Sequence, residues 1–147
     1  GLSYIDVKRL SLDDIVLDMK GQRWIKIKRK KSEIKSNVPL LPVASRILEK
    51  YEEFSNQSRL KLLLPVMSNQ KLNEYLKEIA FKCGIKKRIT FHLSRHTFAT
   101  TVTLANGVPI ESVSKMLGHS CLKTTQIYAK VVDYKLREDM KLVSGKF

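Results

Sequence analysis

The sequence predicts a mainly α domain (α+β) with a small antiparallel β-sheet or hairpin near its N-terminal part. Three observations predict it. Several segments carry apolar residues on a 3.6-residue period between capping and stop signals. One basic stretch instead alternates apolar and polar residues and ends on a proline. The chain has 147 residues, of which 43% are apolar and 29% charged; one ordinary domain of that size buries a real core.

Gly1-Leu2 opens the chain with no linker, cap or methionine. The chain is therefore expected to be a fragment of a longer protein, with residues 1–147 as a single domain. "SYIDVKRLSLDDI" reads as a short helix and a turn, in which Ser11 and Asp14 form a capping-box pair. "RWIKIKRKKSEIKSNVPL" alternates around Trp24, Ile25, Ile27 and Val38, as a hairpin does, and Lys28, Arg29, Lys30, Lys31 and Lys35 crowd its connection. In "PVASRILEKYEEF", Pro42 starts a helix with Val43, Ile47, Leu48 and Tyr51 on one face. "RLKLLLPV" is too brief to assign. Ser68 caps a helix over "NQKLNEYLKEIAFKCG", with Leu72, Tyr75, Leu76, Ile79 and Ala80 on one face and Gly84 as its stop.

The C-terminal third reads as successive helices. One runs from Phe91 to about Leu104 and ends at Asn106-Gly107; a second follows Pro109, with Ile110, Val113, Met116 and Leu117 as its stripe and Gly118 as its stop. A third begins near Leu122 and contains "TTQIYAKV", and "YKLREDMKLV" forms a last one. There is no internal repeat and no low-complexity segment.

Charge narrows the function. Twenty-eight Lys and Arg against 14 Asp and Glu leave a net charge of +14, which points to a polyanion such as nucleic acid. No apolar run reaches the roughly 20 residues needed to span a bilayer, and the first residues show no charged stretch followed by an apolar one. Cys83 and Cys121 are isolated, so a reducing cytoplasm fits better than secretion.

The stretch "HLSRHTFATT" concentrates His92, Arg95 and His96 within five residues. On a helix, spacings of three and four bring these side chains toward related faces. Zinc ligation by His92 and His96, completed by His119 or Cys121, is disfavoured: Arg95 opposes a dication and the Glu of H-E-x-x-H is absent. Plain local capping by the two histidines is the other reading of the stretch taken alone. Further along, "LGHS" carries His119, 24 residues after Arg95, and Tyr128 follows nine residues later.

With those boxes in view, the sequence resembles the tyrosine recombinase (phage integrase) family. "HLSRHTFAT", "VSKMLGHS" and "TTQIYAKV" are similar, in order and spacing, to its H-x-L-R-H-T, L-G-H and T-x-x-Y-x-x-V boxes. "GLSYIDV" looks like its T-G-L-R-x-x-E-L box, and "RKKSEIKSNVPL" like its hairpin lysine segment. The resemblance spans nearly the whole chain and implies the fold of that family's catalytic domain, without the N-terminal DNA-binding domain.

It also implies a site. Breaking a DNA phosphodiester without metal needs an oxygen nucleophile, positive charge on the nonbridging oxygens and a proton for the leaving 5′-oxygen. By resemblance, Tyr128 is the nucleophile and Arg95 the bidentate phosphate ligand. His92 and His119 bond the phosphate or the tyrosine oxygen, His92 doubling as presumed general base. Lys31 is the general acid, with Lys30 its neighbouring rival: on a strand only one of the two reaches the site. Asp6 orients Arg95 or the lysine from behind, and His96 is structural. Lys28, Arg29, Lys30 and Lys35 are candidate DNA contacts. Tyr128 is expected to swing out when DNA is absent. Tyr4, Tyr51, Tyr75, Tyr134 and Trp24 read as packing residues.

One position departs from the pattern. Ser3 stands where the family has an arginine, so half of a two-arginine clamp is missing; Arg9, Arg88 or Lys86 could fill the gap. The resemblance implies a site-specific recombinase or integrase of a mobile element, acting on double-stranded DNA as a homotetramer on synapsed sites. It implies no metal, cofactor or membrane partner, and a bacterial cytoplasmic location on the nucleoid. The C-terminal "YKLREDMKLVSGKF" would then be an arm to a neighbouring protomer. A noncatalytic or degraded DNA-binding module and a type IB topoisomerase-like strand relaxer are the alternatives.

Overall fold

The computed structural model describes residues 1–129, 140, 141, 143 and 144. Ser3 starts α1 (Tyr4–Arg9) as its N-cap. A 3₁₀ turn, Leu12–Asp14, follows. The expected pairing of Ser11 and Asp14 is present, since the Ser11 N–H and hydroxyl both donate to Asp14 Oδ2, at 2.9 and 3.0 Å. The helix and turn deliver the chain into a three-stranded antiparallel sheet of β1 (Ile15–Leu17), β2 (Arg23–Lys28) and β3 (Lys35–Pro39), in the order β1-β2-β3. The hairpin was legible from its alternation, whereas the three-residue β1 is too short to show a period.

Register explains what the sheet buries. Ile25 pairs with Val38 and Ile27 with Ser36, so Ile25 and Ile27 face one side and join Leu10, Leu40 and Leu63 in a first core. The unassigned "RLKLLLPV" is pinned to this core by backbone bonds: Leu12 N–H donates to Lys61 O at 3.1 Å and Leu63 N–H to Leu10 O at 2.9 Å. Burying each such Leu or Ile side chain is worth about 1.5–3 kcal/mol.

Pro42 opens α2 (Pro42–Lys50), which breaks at Tyr51 before α3 (Glu52–Gln57). Ala44 and Leu48 pack on the first core, while Val43 and Ile47 remain exposed. The buried face is thus rotated one position from the expected stripe. The helix α4 (Asn69–Lys82) is capped by Ser68 as predicted, through the Lys71 N–H at 3.3 Å. Tyr75 and Ile79 of its expected face are exposed, whereas Ala80 is buried.

The expected long helix from Phe91 is three segments: α5 (Phe91–Thr97), a π-helical turn (Phe98–Thr103) and a 3₁₀ turn (Leu104–Asn106). Its threonines explain the change of pitch, because side-chain hydroxyls bond backbone carbonyls along the helix. Thr100 Oγ1 donates to His96 O at 2.8 Å, and Thr103 Oγ1 to Ala99 O at 2.7 Å. Gly107 and Gly118 end the segments in the left-handed region, at φ +77° and +60°. Between them α6 (Ile110–Leu117) buries Val113 and Leu117 completely. Together with Ala99 and Tyr128 they make a second core. Leu117→Ala would cost about 2–5 kcal/mol there.

Ser36 Oγ of β3 donates to Met116 O at 2.5 Å, which fastens the sheet to the end of α6. Next comes α7 (Leu122–Gln126), shorter than the sequence implies because Tyr128 already lies in the turn beyond it; Met140, Lys141, Val143 and Ser144 are helical as well. Tyr134, the "YKLRED" part of the final predicted helix and most of the proposed arm lie outside the described residues.

Candidate active site

Arg95 is buried at the centre of a cluster of polar side chains. The Phe91 N–H donates to Asn73 Oδ1 of α4 at 2.9 Å, and one turn further Arg95 points inward with 4% of its surface exposed. Its Nη1 donates to Gly1 O and its Nη2 to Leu117 O, both at 2.6 Å. The left-handed Gly118 then turns the chain back. His119, the next residue, thereby places Nε2 3.0 Å from Arg95 Nη2.

A second guanidinium enters from the hairpin turn. Arg29, with 11% of its side chain exposed, points inward: its Nη1 donates to Gly118 O at 3.1 Å and its Nε to Asp6 Oδ2 at 3.5 Å. Leu117 and Gly118 are consecutive, so adjacent carbonyls at the negative end of α6 receive the two arginines. A Cβ on Gly118 would stand 2.5 Å from Arg29 Cδ. The glycine therefore provides both the left-handed turn and the channel along which Arg29 lies.

Electrostatics records the crowding. Burial lowers the proton affinity of Arg95 most and Arg29 lowers it next, with Tyr128 and Asp6 opposing. Burial first, then Arg95 and Arg29, bring the pKa of His119 down to about 4. Among the described residues, Asp6 is the one carboxylate bonded to either guanidinium. Two largely buried cations against one anion leave the cluster short of negative charge.

Tyr128 is 8% exposed, which corrects the expectation that it swings out without DNA. Its ring lies near-parallel to that of His119, at 6.2 Å and 14°, and edge-on to His96, at 4.9 Å and 74°. The phenol also acts on Arg95 electrostatically, raising its proton affinity against the effect of burial. The physical reason is packing: Tyr128 belongs to the second core beside Leu117 and Val113, so docking it removes a large apolar ring from water.

The remaining predicted residues fall around this centre. Asp6, 5% exposed, accepts from Ser3 Oγ at 2.5 Å, from Arg29 Nε and, through Oδ1, from the Lys30 N–H at 3.0 Å. It holds the hairpin turn rather than bonding Arg95. Lys30 and Lys31 lie in the turn between β2 and β3, not on a strand, so alternation does not choose between them. The Lys30 backbone is tied to Asp6, while Lys31 acts on His92. His92 has its pKa lowered by burial, then by His96, Arg95 and Lys31. His92 meets His96 edge-on at 4.9 Å, and it is His96 whose ring meets Tyr128. Lys28 pairs with Glu33 on the surface at 3.1 Å, and Lys30 and Lys35 are exposed. Arg9, Lys86 and Arg88, the expected substitutes for the missing arginine, are exposed as well.

Arg29, expected to be a surface DNA contact, is the residue whose place sequence reasoning missed. A signal was available. Ile25, Ile27 and Arg29 continue one period-two series, and the first two face the core. Among the described residues no group of three or more His, Cys, Asp or Glu side chains could hold a metal ion, and no helix is long and apolar enough to cross a membrane.

This arrangement can be set beside known proteins. A model described as the phage integrase family matches residues 4–134. The tyrosine recombinase XerD of Listeria monocytogenes is 35% identical over 155 residues, covering 96% of this chain and 50% of that protein. The chain thus spans about half the length of the curated relatives it matches. A crystal structure of XerA recombinase superposes with a TM-score of 0.74 at 26% identity, over 97% of this chain and 53% of the other. The Tn1549 transposon integrase in complex with transposon right end DNA gives 0.72 at 15% identity, over 98% and 55%. The chain belongs to the phage integrase family of tyrosine recombinases.

Proposed function

We propose that this chain is the catalytic domain of a site-specific DNA recombinase that integrates or excises a mobile element through a 3′-phosphotyrosine. One observation carries the reading: a phenol, two guanidiniums and a histidine converge in a single cluster that is short of negative charge. A backbone phosphate supplies the missing charge. The net charge of +14 supports a DNA partner, as does the solved integrase of the same fold that holds transposon-end DNA.

In this reading Arg95 and Arg29 donate to the nonbridging oxygens and stabilise the charge that builds up on them. Arg29 takes the part left vacant by Ser3. Tyr128 Oη attacks phosphorus, the bond from phosphorus to the 5′-oxygen breaks, and the new phosphotyrosine ester retains the energy for rejoining. His92, whose lowered pKa keeps it neutral at pH 7, takes the phenol proton, and Lys31 gives one to the departing 5′-oxygen. His119 bonds the phosphate, His96 holds the tyrosine ring, and Asp6 holds Arg29 and the Lys30 backbone. Lys28, Lys30 and Lys35 contact the flanking backbone. Four protomers on two synapsed sites would complete an exchange.

The test is covalent trapping. The full-length protein is incubated with a duplex from the end of the element that carries its gene, nicked near the cleavage position, and run on a denaturing gel. A protein–DNA adduct that is absent in Tyr128→Phe is the expected result. Tight, salt-sensitive binding without an adduct would instead favour a binding-only domain, and relaxation of supercoiled plasmid without joining of sites would favour topoisomerase-like action.

A further inference from the structure

Beyond the cluster residues, one wholly buried hydroxyl touches its chemistry. Thr125, in the last turn of α7, has no exposed surface, and its Oγ1 lies 2.8 Å from His119 Nδ1. The other ring nitrogen, Nε2, faces Arg95 Nη2 at 3.0 Å. A guanidinium carries donors only, so Nε2 accepts, the ring proton resides on Nδ1, and Nδ1–H donates to Thr125.

Phosphate binding reverses the demand on that ring. Once a phosphate oxygen takes the Arg95 N–H, the nitrogen facing the phosphate has to donate. One route is the imidazolium, which Arg95, Arg29 and burial oppose in the free protein. The other is the Nε2–H tautomer, whose Nδ1 lone pair then requires a donor in a dry place. A carboxylate at position 125 would serve only the first tautomer. A hydroxyl donates as readily as it accepts.

We propose that Thr125 is a positioning residue for His119: its hydroxyl accepts from Nδ1–H in the free enzyme and donates to Nδ1 when Nε2 bonds the scissile phosphate. This rests on the recombinase reading for its second half only. The first half concerns the free protein. The T-x-x-Y spacing therefore couples two tasks on one helical segment, since Thr125 sets the histidine one turn before Tyr128 supplies the nucleophile, and the Tyr128 N–H donates to Thr125 O at 3.0 Å.

Two measurements on wild type, Thr125→Val and Thr125→Ser test it. With ¹⁵N-histidine in the free protein, His119 should show the Nδ1–H tautomer. Its proton resonance should be protected from exchange in wild type and Thr125→Ser, and lost to exchange in Thr125→Val. In single-turnover cleavage of the nicked element-end duplex, Thr125→Val should be about 10–100-fold slower at unchanged DNA affinity, with Thr125→Ser restoring most of the rate. An Nε2–H ring in free wild type, or a protected proton or a wild-type cleavage rate in Thr125→Val, overturns the proposal. If wild type forms no adduct on DNA, the recombinase reading fails instead, and the proton measurement still decides the Thr125–His119 bond.

Discussion

Arg29 and Arg95 come from elements 66 positions apart, yet they donate to consecutive carbonyls, Gly118 O at 3.1 Å and Leu117 O at 2.6 Å. Neither residue makes that bond in order to build a core. Each guanidinium is withdrawn from water beside the other, an arrangement that is unfavourable until an anion enters. Arg29→Ala should therefore lower the rate of covalent adduct formation about 10²–10³-fold, the loss expected for one donor to a developing oxyanion. Arg9→Ala, an exposed cation on the neighbouring helix, is the control and should stay near the wild-type rate. Equal rates for the two variants would show that Ser3 is compensated elsewhere.

Gly118 links this charge to the fold. Gly118→Ala puts a Cβ on a residue at φ +60° and brings it 2.5 Å from Arg29 Cδ. The backbone penalty alone is about 1–2 kcal/mol. Gly84 is at φ +65° with nothing near its Cβ position, so Gly84→Ala carries the backbone term without the collision. Both variants should lose stability in urea unfolding. Only Gly118→Ala should also lose cleavage, because Arg29 must move to admit the methyl group.

The contrast between these glycines shows what the sequence made legible. Both were readable as helix stops, because a helix that ends in the left-handed region selects glycine. That Gly118 also lies under Arg29 depends on the hairpin folding back across 89 positions, which no local pattern encodes. The same division runs through the site. Box spacing placed Arg95, His119 and Tyr128 together, but the choice of His96 as the ring against Tyr128 follows from how the second core docks Tyr128. Arg29 was hidden among lysines, where charge masked its inward phase.

His119 makes stability depend on pH. Its pKa is about 4 in the folded chain against 6.5 ordinarily. Between those values the unfolded chain takes up a proton that the folded chain refuses. The contribution is complete above about pH 6.5 and is lost progressively as the pH falls toward 4. The lowered pKa of His92 acts in the same direction. The urea midpoint should fall between pH 7.5 and pH 5, and His119→Gln should flatten that fall. A midpoint that rises on acidification, or an identical slope in the variant, would contradict the burial of a neutral His119 beside two arginines.

The general acid can be assigned by chemistry that makes it unnecessary. Lys31 lies in the exposed hairpin turn and acts electrostatically on His92, whereas the Lys30 backbone is held by Asp6 at 3.0 Å. If Lys31 protonates the 5′-oxygen, Lys31→Ala should slow cleavage about 10²–10⁴-fold, the usual worth of a positioned acid. Lys30→Ala should affect mainly DNA affinity and its salt dependence. Replacing the leaving oxygen by sulfur removes the need for a proton, because a thiolate leaves unaided. On a duplex with a 5′-bridging sulfur at the cleavage position, Lys31→Ala should regain most of the wild-type rate, while Arg29→Ala and Arg95→Ala should remain slow. Rescue of Lys30→Ala in place of Lys31→Ala would move the acid one residue along the turn. Rescue of neither would mean that the lysines serve only to bind the backbone.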